Sequence, residues 1–206
     1  MWSHYCIGTS QVNPPCNFFV LGIRSLVLES SDDLRVTGYA LSLWTNGWKA
    51  LDAVGIGDSL RQNHDQLDGG VRCVRRKFLL ECLAKALPSG TIKFSSKVVA
   101  IEESGLLKLV HLADGTSIKT KVLIGCDGVK SVVAKWLGFK APAFTGRCAV
   151  RGCLQRESNH NFGRKVSLYA GEGVRAGIIP CDDKTLYWFF SWTPSADGES
   201  TMIKIT

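Results

Sequence analysis

The stretch Val122-Leu123-Ile124-Gly125-Cys126-Asp127-Gly128-Val129-Lys130-Ser131-Val132-Val133 constrains the fold more than any other, because an apolar run ends abruptly in an Asp-Gly pair and then turns amphipathic. The pattern predicts strand, tight turn, helix. An unbroken apolar run is what a buried parallel strand requires. Glycines beside Cys126 and Asp127 permit positive φ or close approach, and the following segment would aim free N–H groups at whatever sits above the strand end. Such a place suits an anion or a ribose. An ordinary turn whose Asp caps the helix explains the same residues equally well.

With 206 residues, 45% hydrophobic and 21% charged, the chain has the composition of a globular protein of one large or two small domains. The apolar stretch from Phe18 to Leu28 contains Gly22 and Arg24 and is too short to span a bilayer, so no integral membrane segment is expected. The first 20 residues lack the features of a secretory signal or a mitochondrial presequence. Localisation is therefore open, cytoplasmic by default and plastid if the true N-terminus differs. The cysteines at 6, 16, 73, 82, 126, 148, 153 and 181 have no metal-ligand spacing and read as reduced, mostly buried small hydrophobes.

The formal charge of +7 is spread along the chain and not gathered into a tract with interleaved aromatics, which argues against a nucleic-acid partner. Only Arg72, Arg75, Arg76 and Lys77 cluster, at the predicted start of a helix, where cations are disfavoured by the backbone dipole. An anionic partner would relieve that cost; a solvated basic face is the alternative.

Ser25 to Ser30 is a short apolar run ending at Glu29, as a parallel strand does where its end meets a ligand. In dinucleotide-binding folds such a carboxylate accepts hydrogen bonds from ribose hydroxyls, although a lone carboxylate after a strand is more often on the surface. Thr45 or Asn46 caps a helix that Gly55 and Gly57 end before Arg61. Leu79, Leu80, Leu83 and Leu87 mark a helix from Arg75 to Leu87 that stops at Pro88-Ser89-Gly90. A hairpin is expected at Asp114-Gly115, a helix over 130–137, and β-strands over 148–154, 165–169, 177–179 and 186–192.

Taken together, Leu28-Glu29-Ser30, Arg72-Cys73-Val74-Arg75-Arg76 ahead of a Leu-rich helix, and Ile124-Gly125-Cys126-Asp127-Gly128 resemble the flavoprotein aromatic-hydroxylase family of FAD-dependent monooxygenases. The resemblance runs from about Leu21 to Trp192. It also rests on Ala50-Leu51-Asp52-Ala53-Val54-Gly55, Arg151-Gly152 and Gly173-Val174-Arg175-Ala176-Gly177-Ile178-Ile179-Pro180, and is closest in wording to the plant branch similar to zeaxanthin epoxidase.

The resemblance implies an α/β fold: an incomplete Rossmann-like FAD-binding domain over 21–139 and an antiparallel β-sheet substrate domain over 140–206, behind an unrelated or disordered leader at 1–20. By the same resemblance Glu29 binds the adenosine ribose and Arg76 lies along the ribityl and phosphate region. Asp127 holds the pyrophosphate side, and Gly128 lets the backbone approach. FAD would be the cofactor and NAD(P)H the reductant, with one oxygen atom of O₂ inserted into a small aromatic or isoprenoid-like substrate. No side chain is assigned as a catalytic nucleophile or base, and no metal is expected.

The chain departs from the family pattern at both ends. The family's Gly-x-Gly-x-x-Gly loop, about 20 residues before the ribose-binding Glu, would fall near residues 7–14, where Gly8 is the only glycine before Gly22 and Pro14-Pro15 follows. A second Gly-Asp motif of the family has no counterpart before Thr206. The expectation is a partial version of the family fold with impaired activity, or a non-catalytic remnant or interaction module.

Overall fold

The computed structural model describes residues 4–8, 17–18, 23–35 and 38–194. Two compact units interleave along the chain, Met1–Val36, Leu51–Ile56 and Leu80–Pro142 forming one, and Thr37–Ala50, Gly57–Leu79 and Ala143–Thr206 the other.

The first unit is built on β1 (His4–Gly8), β2 (Asn17–Phe18) and β3 (Ile23–Glu29). In chain order β4 (Ala40–Leu43), α1 (Thr45–Ala53), α2 (Gly57–Gln62), β5 (Arg72–Arg75) and α3 (Arg76–Lys85) follow. Then come β6 (Ile92–Lys93), β7 (Val98–Ser104), β8 (Leu107–Leu112), β9 (Ser117–Thr120), β10 (Val122–Cys126) and the short α4 (Val132–Trp136). The strands β1, β2, β3, β6 and β10 make one sheet in the order β10-β1-β3-β2, with β6 pairing parallel to β3. Strands β7, β8 and β9 form an antiparallel meander whose tight turn falls at Asp114-Gly115, as the sequence predicts. Leu28, Val98, Ile101, Val110, Leu112 and Val133 make the core of this unit. Each comes from an element whose alternating or helical pattern turns one apolar row inward.

Two expectations about this sheet are corrected. β10 is not a buried parallel strand: it pairs antiparallel with β1, and among the described residues it is the edge of the sheet. Its alternate residues part accordingly, Leu123 packing on the core while Val122 and Ile124 are 58% and 43% exposed. The continuous apolar run reflects residues suited to cover on both faces, of which one is covered here. Part of the stretch expected as a leader forms β1, which lies between β3 and β10 and runs against both. Of residues 7–14, the expected place of the glycine loop, 9–14 lie outside those described, as does the terminal segment 201–206.

In the second unit β4 and β5 form an antiparallel pair, and β11 (Cys148–Gln155), β12 (Ser167–Gly171), β13 (Val174–Pro180) and β14 (Thr185–Trp192) form an antiparallel sheet in the order β11-β14-β13-β12. All four strands of that sheet were anticipated, within three residues at their ends. Side chains alternate across it. Cys153, Tyr187 and Ile179 occupy one row, and Phe189 lies on the same face; Ile179, Tyr187 and Phe189 join Leu67, Cys73 and Cys181 in the core. Val150, Trp188, Phe190 and Tyr169 share the opposite face, where Val150, Trp188 and Tyr169 are exposed. The aromatics of this segment are therefore divided between core and open face.

Candidate functional site

Glu29 is the last residue of β3 and is 1% exposed, so it is not the surface carboxylate that a lone Glu after a strand would ordinarily be. A buried carboxylate must be paired and hydrogen-bonded. Its Oε1 accepts from the Ser31 backbone N–H at 2.8 Å and from Arg35 Nη2 at 3.2 Å, with Ser30 Oγ at 3.3 Å. The same guanidinium nitrogen donates to Ser30 Oγ at 2.9 Å. The Glu29 carbonyl accepts from the Ser96 N–H, which ties the strand end to the loop before β7. Arg35 escaped the sequence reading: an Arg six positions on, beyond a polar turn, has no periodic relation to the strand that could flag it.

Asp127 follows β10 directly and is 6% exposed. Its Oδ2 accepts from the Val132 N–H at 2.6 Å and more weakly from the Val133 N–H at 3.4 Å, while Ser131 Oγ donates to Oδ1. Ser131 is the N-cap of α4, and its Oγ accepts from the Ala134 N–H at 2.8 Å. The first amides of the helix are thus taken up by Asp127 and Ser131. The expectation of free N–H groups aimed above the strand end is corrected, and the capping role of Asp127 is what the geometry shows.

Glycine serves two distinct needs in this turn. Gly128 adopts φ +79°, the left-handed region that non-glycine residues rarely enter. Gly125 gives up space instead: a Cβ there would lie 2.7 Å from Val133 Cβ, so the absent side chain is what lets α4 pack on β10.

Glu29 and Asp127 are brought to the same end of one sheet, since Glu29 and Cys126 are both paired with His4. Arg76 belongs to the second unit. It opens α3, its backbone N–H donates to the Tyr39 carbonyl at 3.0 Å, and its side chain lies against Gly38. Gly38 has φ +117°, and a Cβ on it would fall 2.7 Å from Arg76 Nη1. The guanidinium therefore runs along bare backbone at this point.

The basic cluster is distributed differently from the expectation of four cations at a helix start. Arg72 and Arg75 are on β5, and only Arg76 and Lys77 lie in the first turn of α3. Arg72 donates through Nη1 to the His64 carbonyl and lies 6.0 Å from the Trp48 ring centroid. Arg75 Nη1 is 3.8 Å from Asp182 Oδ2. Neighbouring acceptors and an aromatic face, rather than one external anion, accommodate these two charges. The buried His64 joins the elements around them: Nδ1 faces the Leu60 carbonyl at 2.9 Å and Nε2 accepts from the Arg75 N–H at 3.1 Å. Burial holds its pKa below the ordinary 6.5.

Cysteine usage also differs from the expectation. Cys73 and Cys181 are buried, Cys82, Cys148 and Cys153 half-buried, and Cys126 exposed. Among the described residues no group of three His, Cys, Asp or Glu could hold a metal ion, and no helix is long and apolar enough to cross a membrane.

The mixed α/β architecture with antiparallel sheets is similar to solved structures of FAD-dependent hydroxylases. The crystal structure of Klebsiella pneumoniae HpxO complexed with FAD and uric acid matches it with a TM-score of 0.68 at 23% identity, over 82% of this chain and 50% of that one. In sequence the chain is 48% identical to Monooxygenase 2 of Arabidopsis thaliana, over 96% of its own length and 54% of that relative. It is 24% identical to the FAD-dependent urate hydroxylase of Mycolicibacterium vanbaalenii, over 82% of this chain and 51% of the relative. No family model matches the chain. The chain is thereby identified with the flavoprotein aromatic-hydroxylase (FAD-dependent monooxygenase) family and spans about half the length of the curated relatives it matches.

Proposed function

We propose that this chain provides FAD- and substrate-binding parts of a monooxygenase that inserts one atom of O₂ into a small organic substrate at the expense of NAD(P)H. The observation that carries the reading is the 48% identity to Monooxygenase 2 across 96% of the chain. Residues 21–139 would form an incomplete Rossmann-like FAD-binding portion and residues 140–206 the substrate side.

The residues present suit the group. A buried carboxylate at a strand end, Glu29, offers acceptor oxygens where ribose hydroxyls need them, and Arg35 holds that carboxylate in place. The Arg76 guanidinium, laid over the bare backbone of Gly38, supplies charge for a phosphate or ribityl oxygen. Asp127 would serve the pyrophosphate side by fixing the turn, since its oxygens cap α4, and Gly128 would let the backbone come close. When bound, FAD supplies two-electron reduction by NAD(P)H and activation of O₂. The protein's own task is to orient the substrate and exclude water. The open face bearing Tyr169, Trp188 and Phe190 is the candidate wall for an aromatic or isoprenoid-like substrate.

A second reading, a non-catalytic member of the same fold, is favoured by the mutual satisfaction of Asp127 and the α4 amides, which leaves the turn complete without a ligand. Reconstitution separates the two. The purified chain is incubated with FAD, passed through a desalting column, and read for visible flavin absorbance and for substrate-dependent NAD(P)H oxidation. Retained flavin, lost in Glu29→Ala and Arg76→Ala, supports the first reading. A folded protein that stays colourless overturns it.

A further inference from the structure

Three cysteines of the second unit come together. Cys73 on β5 and Cys181 just past β13 are 0% and 1% exposed, and their sulfurs lie 3.3 Å apart. Cys153 on β11 shares the row of Tyr187 and Ile179, the core-facing side of the sheet, and its thiol interacts with that of Cys181. It is half-buried, so of the three it is the one a small oxidant can reach. The chain positions 73, 153 and 181 are far apart, and no spacing rule relates them. The sheet register and the packing of β5 make the cluster.

We propose that Cys153, Cys181 and Cys73 form an oxidisable thiol relay in which a hydroperoxide converts the Cys73–Cys181 pair into a disulfide. Cys153 sulfur attacks a peroxide oxygen; the O–O bond breaks, the sulfur becomes a sulfenic acid, and water (or an alcohol, from an organic peroxide) leaves with the thiol proton. Cys181 then attacks the Cys153 sulfur, forming an S–S bond as the S–O bond breaks and a second water departs. Cys73 next attacks Cys181, and Cys153 leaves and takes the Cys73 proton. The net change is two thiols oxidised, one peroxide reduced, and one disulfide formed. That bond would tie β5, whose last residue precedes Arg76, to the end of β13.

The test treats the full chain with hydrogen peroxide, then unfolds it, alkylates free thiols and maps peptides without reduction. The expected result is a Cys73–Cys181 linked peptide in the monomeric fraction, abolished by dithiothreitol. Cys153→Ser should slow its formation several-fold while leaving the same product, and Cys73→Ser should divert the link to Cys153–Cys181. Alkylated Cys73 and Cys181 after oxidation, or links found only between molecules, would overturn the proposal. An unchanged rate in Cys153→Ser would overturn the relay. Mapping of the unsubstituted chain decides the central point even where a variant fails to fold.

Discussion

Glu29 and Cys126 share one backbone partner: both are paired with His4, from opposite sides of β1. With strands about 4.8 Å apart, the ends of β3 and β10 stand roughly 10 Å from each other at one level of the sheet. Asp127 is the next residue after Cys126, so the two carboxylates come from parallel-running strands that never touch in sequence.

Glu29 is expected to serve both stability and binding. Glu29→Ala takes the side-chain acceptor from the Ser31 N–H and leaves Arg35 with Ser30 Oγ as its remaining partner, at a cost of about 1–3 kcal/mol in chemical unfolding. Glu29→Gln retains a carbonyl oxygen for Ser31 and should lose less stability. If the proposed ribose contact holds, it should still weaken FAD binding in a fluorescence titration.

Removing the cap at α4 should show mainly as instability. Asp127→Ala takes the acceptor from the Val132 and Val133 amides, and the expected loss is about 0.5–2 kcal/mol, read from the urea midpoint. Ser131→Ala, which loses the bond to the Ala134 N–H, should cost a similar amount. The two losses should not add, because Asp127 and Ser131 hydrogen-bond to each other.

Gly125→Ala tests the strand–helix contact directly. The added methyl would meet Val133 Cβ at 2.7 Å, and overpacking of this kind costs about 1–3 kcal/mol. Trimming the neighbour by Val133→Ala should fail to rescue the variant, because the nearest atom, Cβ, remains. Thermal melts of the two single variants and the double variant check this.

His64 makes stability fall in mild acid. Burial lowers its folded pKa below the ordinary 6.5, so between the two values the unfolded chain binds more protons. Stability is therefore present above about pH 6.5 and is lost as pH falls toward the folded value. Urea midpoints measured from neutral to mildly acidic pH should decline in the parent chain and decline less in His64→Gln.

Oxidation of the thiol cluster should be strongly pH-dependent. Burial pushes the Cys153 thiol up to about 11, so thiolate is scarce at neutral pH. The initial rate of peroxide-driven disulfide formation should rise about tenfold per pH unit below that value. A rate flat across this range would mean that another group sets the entry step.

How much of this was legible beforehand varied with the range over which each feature is determined. The helix at Arg76–Lys85, the hairpin at Asp114-Gly115 and the four strands from Cys148 onward could be read because their signals are local: apolar spacing, a Pro-Ser-Gly stop, an Asp-Gly turn. Even there the basic cluster is divided differently: the helix starts at Arg76, one residue later than expected, and Arg72 and Arg75 lie on the preceding strand. Arg35 beside Glu29 and the contact between Gly38 and Arg76 had no signal within any short window.

Alone, the order of residues determined the element types, the carboxylate at 29, the Asp-Gly turn at 127–128 and the family to which they point. Those follow from local propensity and from motifs a few residues long. Tertiary structure decided that β10 is an antiparallel edge, that Asp127 and Ser131 satisfy the helix amides, that Glu29 is buried against Arg35, and that Cys73 meets Cys181. Each of these depends on pairing between segments distant along the chain, where burial and hydrogen-bond satisfaction are settled jointly by both partners.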